Sequence, residues 1–192
     1  MRRCFLVLAI AVTALAQDYR KHNFTVGGGI GFPLFERSRS IWEDSSLFSA
    51  GYGFRFERRF QADVAHTRVF SPADKQSDPF EPFIERRELG GGTIDAYLLG
   101  GRMLFPIRDR LLLCGGIGAV HERFRGPRLT SGPTLDETGC GAYALGSVSW
   151  ELDRSGHFHI GITPRLEIVQ ARKAWLHRNR WLVLPIEFGL SF

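Results

Sequence analysis

The last twelve residues of the chain, 181–192, alternate strictly between large apolar side chains and smaller or polar ones. Successive side chains of a β-strand point to opposite faces, so this alternation predicts a strand with one wholly apolar face. The segment 158–168 repeats the pattern, with Arg165 and Glu167 on the face opposite the apolar residues. Two such strands in succession indicate an all-β protein.

Earlier parts of the chain alternate in the same way, although small residues weaken the signal in several places. The candidate strands are 24–34, 47–56, 60–70, 93–105, 111–124 and 141–152. Long connections (35–46, 71–92, 125–136 and 171–180) take turns with short ones (57–59, 106–110 and 153–156). Short turns at one end and long loops at the other are typical of transmembrane β-barrels. We therefore predict an eight-stranded antiparallel up-and-down transmembrane β-barrel.

The charged side chains indicate which face of the barrel meets lipid. They fall opposite the apolar face at Arg55, Asp63, Arg102, Glu122, Glu151, Arg165, Glu167 and Glu187. A shift of one residue in register would turn them towards lipid, and an Arg or Lys at mid-bilayer costs about 2 to 4 kcal/mol. Eight strands enclose a space just wide enough for side chains, so we expect these eight groups to form a charge network inside the barrel.

The first residues of the chain predict export. Residues 1–16 combine a basic start at Arg2 and Arg3, an apolar run, and small residues at Ala14 and Ala16. This is the pattern of a cleaved signal peptide, which leaves 17–192 as one barrel domain. The apolar run is shorter than the roughly 20 residues of a transmembrane helix. Export also argues against nucleic acid as the partner of a chain with a net charge of +5.

Two cysteines, Cys114 and Cys140, remain in the predicted barrel domain. An exported protein meets an oxidising compartment, so the pair can form a disulfide. Cysteines in separate strands can equally face apart, and the interpretation we favour slightly is two buried thiols.

With the export pattern, the alternation and the loop asymmetry, the whole predicted domain resembles the small outer-membrane barrels of the OmpA-like and OmpX-like family. The most specific part of the resemblance is the C-terminal ending Ile186, Phe188, Leu190 and Phe192. In that family such an ending implies recognition by the barrel-assembly machinery. The resemblance implies a bacterial outer-membrane location and does not specify an activity.

Histidines near the outer ends of two strands raise the question of an enzyme. His66 and His121 have the outward phase, but no nucleophile, base and orienting acid can be placed together from the sequence, so we predict no catalytic residues. We expect instead that both imidazoles join Arg68 and Arg123 in the interfacial belt of the barrel. His157 and His159 are two residues apart in a strand and could both face one metal ion, but a third ligand is lacking. We therefore predict neither a metal nor a cofactor.

The last long loop carries cationic residues around an aromatic ring, Trp175, which suits the phosphates of lipopolysaccharide. The candidate head-group contacts are Arg172, Lys173, Arg178 and Arg180. We expect a monomeric, non-enzymatic outer-membrane barrel with a structural, adhesion or surface-binding role in its loops, with an unidentified surface ligand as a candidate partner. The alternatives are a lipid-modifying enzyme (an acyl hydrolase or acyltransferase), a narrow channel or a secreted soluble barrel.

Overall fold

The computed structural model describes residues 20–34, 45–71, 92–108, 110–125, 136–171 and 179–192 of the chain of 192 residues. The predicted signal peptide, 1–16, lies outside the described residues, as do most of the four long connections. None of the described residues belongs to a helix that is long and apolar enough to cross a membrane.

The described residues form one antiparallel sheet of strand segments that closes on itself. The segments are β1 (His22–Pro33), β2 (Ser45–Glu57), β3 (Phe60–Ser71), β4 (Gly92–Arg108), β5 (Leu111–Arg125), β6 (Asp136–Glu151), β7 (Phe158–Ile162), β8 (Arg165–Ala171) and β9 (Asn179–Ser191). Each segment pairs with the next around the sheet, and β1 pairs with β9 from Asn23 to Pro33. This pairing closes the barrel and leaves no open edge in the ring.

The segments β7 and β8 occupy a single position in the ring, because both lie between β6 and β9. Thr163 and Pro164 separate them, and Thr163 donates its N–H to Pro185 on β9. Proline has no N–H, so Pro185 cannot return that bond, and Pro164 accepts from Gly146 on β6 without donating back. The ladder is interrupted there, but the ring has eight positions, which confirms the predicted eight-stranded antiparallel barrel.

The outer face of the barrel is apolar, in the phase that the sequence predicts. Large hydrophobic side chains on every strand position are exposed, and Ile117 and Leu99 reach 72% and 64% exposure. An apolar surface that continues around the whole barrel is far larger than the patches that proteins leave in contact with water. The outer face is therefore built to contact lipid.

The inner face is filled in layers, which the inward residues of β3 mark in order. From the end with the short turns to the end with the long connections they are Gln61, Asp63, Ala65, Thr67 and Val69. Gln61 and Asp63 belong to a polar layer, Ala65 contacts an apolar cluster, Thr67 belongs to a second polar layer, and Val69 belongs to an apolar plug. Polar and apolar layers therefore alternate along the barrel axis.

The apolar plug closes the interior at the end of the long connections. Its members are Leu47, Val69, Ile94, Phe124, Trp181 and Val183, all at most 7% exposed. Further inside, Tyr143 needs the glycines of two neighbouring strands. A Cβ at Gly100 would lie 2.3 Å from the Tyr143 hydroxyl, and one at Gly118 would lie 2.5 Å from its ring. These glycines make room for a large side chain in a narrow barrel.

Candidate functional site

The first polar layer links side chains of three strands in a chain of hydrogen bonds. Arg102 on β4 donates from Nε to Asp63 Oδ2 at 2.7 Å. Gln61 donates to the other oxygen of Asp63 at 2.6 Å and accepts from Arg55 Nε at 3.1 Å. Asp63 is thus held by one cation and one amide. Arg55 joins this hydrogen-bonded network through the neutral Gln61.

The second polar layer centres on Arg165, which is 3% exposed. Its Nε donates to Glu167, and its Nη2 donates to Thr67 Oγ1 at 2.8 Å. Glu122 lies near Arg165, and its carboxyl group hydrogen-bonds that of Glu167, so two acidic side chains meet beside one guanidinium group. The eight charged residues predicted for the interior all lie on the inner face, in two separate layers and a cavity rather than one continuous network.

A cavity of about 780 Å³ occupies the interior at the end with the short turns. Glu151 and Glu187 line it, and Thr163 donates to Glu187 at 2.7 Å. Arg55 and Arg102 also line it, so the cavity contains charges of both signs. The first polar layer forms its floor, and beyond that layer the interior is filled by side chains.

Polar residues also form a patch outside the barrel, near the long connections of β3 to β6. We call it the outer polar patch: His66, Arg68, Asp95, Tyr97, His121, Arg123, Asp136 and Cys140. Cross-strand pairing brings them into rows, with Arg68 opposite Asp95 and Asp95 opposite Arg123. His66 and Tyr97 form the last row of the patch towards the short turns, and the row after it is apolar, with Val64 opposite Leu99. The patch therefore begins where the apolar band ends.

Asp95 holds the outer polar patch together. Arg68 donates from Nε to Asp95 Oδ1 at 2.6 Å, and His66 Nε2 lies 3.1 Å from the same oxygen. Although it has the outward phase, Asp95 is 2% exposed, because these side chains cover it. Arg123 forms the other ion pair, donating from Nε to Asp136 at 2.9 Å. Alternation predicts both histidines and both arginines here but did not lead to the two aspartates. The outward phase of Asp95 in the predicted strand 93–105 was a signal available for finding it, whereas Asp136 fell in a predicted connection.

The two cysteines of the barrel face opposite sides of its wall. Cys114 lies on the inner face and lines the cavity, whereas Cys140 is exposed on the outer face and pairs across the sheet with His121. The interpretation of two buried thiols was therefore wrong for Cys140. Both cysteines are free, because a barrel wall separates their side chains. The Cys140 Sγ lies 3.2 Å from His121 Nδ1.

The predicted assembly residues line the outer face of β9. Ile186, Phe188, Leu190 and Phe192 are all exposed there, next to β1. Phe192 stacks on His22 and Phe24, with ring centroids 5.4 and 5.9 Å apart. These rings form an aromatic rim at the end with the short turns. Whether the ending acts as an assembly signal stays a prediction.

The histidines considered for a metal and the predicted head-group contacts remain to be placed. His159 lines the cavity, and His157 is exposed and lies near Ser155. Among the described residues, no three His, Cys, Asp or Glu side chains form a group suited to a metal. The predicted head-group contacts Arg172, Lys173 and Arg178 lie outside the described residues, and so does the side chain of Arg180.

Comparison with known proteins adds the fold and little more. No protein-family model and no curated protein matches the chain. Solved structures do match it. Ail, the attachment invasion locus protein of Yersinia pestis, is 12% identical with a TM-score of 0.58, covering 91% of this chain and 99% of that one. Neisserial surface protein A is 10% identical with a TM-score of 0.63, covering 91% and 97%.

The outer membrane protein OprG from Pseudomonas aeruginosa is 11% identical with a TM-score of 0.59, covering 92% of this chain and 98% of that one. Ail was also solved with the heparin analogue sucrose octasulfate. At these identities the likeness concerns the fold alone. This chain has the fold of the small eight-stranded barrels of bacterial outer membranes.

Proposed function

We propose that this protein is an exported, monomeric and non-enzymatic barrel of the bacterial outer membrane that binds phosphate-bearing lipid head groups at the membrane surface. The outer polar patch carries the proposal. It lies beyond the apolar band on four neighbouring strands, where the head groups of a lipid layer would meet the barrel. Structural and adhesive roles of the loops are compatible with this binding.

The chemistry of the patch suits an anion with several oxygens. Arg68 and Arg123 lie on either side of Asp95 in one cross-strand row, and Arg125 follows in the next row. With the adjacent Arg125 included, three arginines against Asp95 and Asp136 leave a formal charge of 3 − 2 = +1, with the histidines counted as neutral. The side chains of Arg68 and Arg123 are 44% and 42% exposed. Arg68 uses Nε for Asp95 and keeps its terminal nitrogens available, whereas Arg123 uses Nε and Nη2 for Asp136 and keeps only Nη1 available. Guanidinium groups pair well with phosphate oxygens.

Binding at the surface has more support than conduction through the barrel. The apolar plug and the two polar layers fill the interior beyond the cavity, and an eight-stranded barrel has little space to spare. The solved complex of Ail with a polysulfated sugar, at a similar fold, also supports a polyanion as the ligand. The cations predicted as head-group contacts in the last loop, such as Arg172 and Lys173, would add to the attraction for an anionic head group.

The proposal is tested with the protein reconstituted in vesicles of phosphatidylcholine alone or with added lipopolysaccharide. We expect lipopolysaccharide to raise the unfolding midpoint in urea, because a ligand that binds the folded state stabilises it. The double variant R68Q/R123Q should lose most of that increase. The matched control R58Q/R59Q removes two arginines from the opposite end, in the β2–β3 turn, and should keep it.

The location is tested by fractionating cells that express the full chain. Recovery with the outer membrane and a heat-dependent mobility on gels are expected for a barrel of this kind. Recovery as soluble protein would contradict the proposed location. An equal response of R68Q/R123Q and R58Q/R59Q to lipopolysaccharide would contradict the proposed binding surface.

A second candidate function, cleavage of lipid acyl esters, is favoured by the contact between His121 and Cys140. A thiol beside an imidazole is the arrangement of a Cys–His nucleophile, and this pair faces lipid near the surface. Among the described residues, however, the acid that would orient the imidazole is absent, since Asp95 is bound to His66 and Arg68. Unchanged lipid profiles in cells that express C140S in place of the parent chain would rule out this candidate.

A further inference from the structure

The cavity at the end with the short turns contains a cation, Arg55, that has no carboxylate at ion-pair distance among the described residues. We propose that this cavity binds a small oxyanion, a phosphate or a carboxylate, at the guanidinium group of Arg55. The site is separate from the outer polar patch, because it lies inside the barrel at the opposite end. In the proposed orientation it opens towards the periplasm.

The pairing of the inward-facing arginines singles out Arg55. Arg102 pairs with Asp63, and Arg165 pairs with Glu167. Within the part of the chain that the structure describes, Arg55 has no carboxylate at ion-pair distance, and its contact is the neutral Gln61. A guanidinium group inside a barrel is costly to leave without a counter-charge. An anion from solution would supply that charge.

The local geometry presents the free end of Arg55 to the cavity. Gln61 accepts from Arg55 Nε, which fixes the plane of the guanidinium group and leaves both terminal nitrogens unused by the described residues. Gln61 is itself fixed, because its amide donates to Asp63 and it occupies the space beside Gly53. A Cβ at Gly53 would lie 2.1 Å from Gln61 Nε2. Two parallel N–H groups match the oxygens of a carboxylate or phosphate.

The rest of the cavity suits a small polar anion. Its walls include hydroxyl and amide groups, among them Asn23, Thr25, Ser147 and Ser149. Four cations and two carboxylates line it: Arg20, Lys21, Arg55, Arg102, Glu151 and Glu187. With Asp63 paired to Arg102, the formal balance of the described side chains is 4 − 3 = +1. The volume of about 780 Å³ admits a small molecule, and the filled interior beyond prevents its passage through the barrel.

The test is a titration of the isotope-labelled protein, folded in detergent micelles, with inorganic phosphate and separately with acetate at constant ionic strength set by chloride. We expect saturable shifts of the Arg55 Nε–H resonance and of the amides of Gln61 and Ser149. The variant R55Q should weaken binding roughly tenfold or more, since it removes a charged hydrogen-bond donor. The control R58Q changes an exposed arginine of the adjacent turn and should bind like the parent protein.

A second variant acts in the opposite direction. E151Q removes a negative charge from the cavity wall, so it should tighten binding of the same anion. A response to phosphate, to acetate or to both supports the site and identifies which oxyanion it takes. Absence of a saturable shift with either probe, or equal affinity in R55Q and R58Q, would overturn the proposal. Neither result would bear on the outer polar patch, which R68Q/R123Q tests.

Discussion

Arg165 on β8 donates from Nη2 to the hydroxyl of Thr67 on β3, 98 positions away in the sequence, at 2.8 Å. The two strands lie on opposite sides of the eight-position ring, so this hydrogen bond crosses the barrel interior. Arg165 also neutralises Glu167, and Glu122 lies beside the pair. One guanidinium group thus joins two strands across the interior and balances the buried carboxylate of Glu167.

Replacing Arg165 by Ala should destabilise the barrel by about 3 to 5 kcal/mol, because it leaves buried carboxylates without their cation. The measurement is urea unfolding of the protein in vesicles, followed by tryptophan fluorescence. The control R123A breaks the exposed ion pair with Asp136 and should reduce stability much less than R165A does. Equal costs for the two variants would contradict the role of Arg165. The double variant R165M/E167M should recover part of the loss.

Gly189 lies directly beneath the ring of His159. A Cβ there would lie 2.0 Å from His159 Nε2, and the three nearest atoms all belong to that ring. We expect G189A to destabilise the barrel by about 1 to 3 kcal/mol through overpacking. Removing the ring in G189A/H159A should relieve the clash. The double variant should therefore lose less stability than the sum of the losses in G189A and H159A. Simple additivity in a double-mutant cycle would show that the ring is not the obstacle.

The opposite orientations of the cysteines predict unequal reactivity. Cys140 is exposed on the outer face, whereas Cys114 lies inside and is partly buried. In detergent micelles a polar maleimide should modify Cys140 first, and urea should bring the rate at Cys114 up to a similar level. The variants C140S and C114S, labelled separately, assign each rate. Faster modification of Cys114 than of Cys140 in the folded protein would contradict this assignment.

The β6–β7 turn contains a carboxylate held by local hydrogen bonds. Ser155 donates to Asp153, and the Phe158 N–H donates to it at 2.8 Å, which together lower the pKa of Asp153 below its ordinary value. Gly156 supports the turn with a φ of 65°, in the left-handed region. The contribution of Asp153 to stability is therefore complete above its unfolded pKa and is lost as pH falls through the lower folded pKa.

The pKa of Asp153 is checked by following its carboxyl carbon by NMR as the pH is lowered. The titration midpoint should fall below the ordinary value of 3.8. S155A should raise that midpoint, because it removes the largest cause of the shift. A midpoint at or above the ordinary value in the parent protein would contradict the hydrogen bonds of the turn.

The sequence determined the strands, their phase and the lipid-facing side of the barrel. Alternation has a period of two, so each strand such as β9 reports its own faces without knowledge of its neighbours. Turning Arg165 or Glu187 towards lipid would be unfavourable, so the face opposite these charged residues is the one that contacts lipid. Length and connection pattern completed the count of eight positions, even where Pro164 and Pro185 interrupt the hydrogen bonds.

Only the tertiary structure decided which side chains meet. Contacts such as Arg165 with Thr67 depend on closure of the ring, and closure depends on the register of every strand pair in between. Alternation places Arg55, Arg102 and Asp63 on one face, but it does not say that Asp63 pairs with Arg102 while Arg55 contacts the neutral Gln61. The outer polar patch likewise arises from cross-strand register, which brings Asp95 beside Arg68. Local patterns fix the orientation of each strand, whereas contacts between distant residues arise only when the sheet closes.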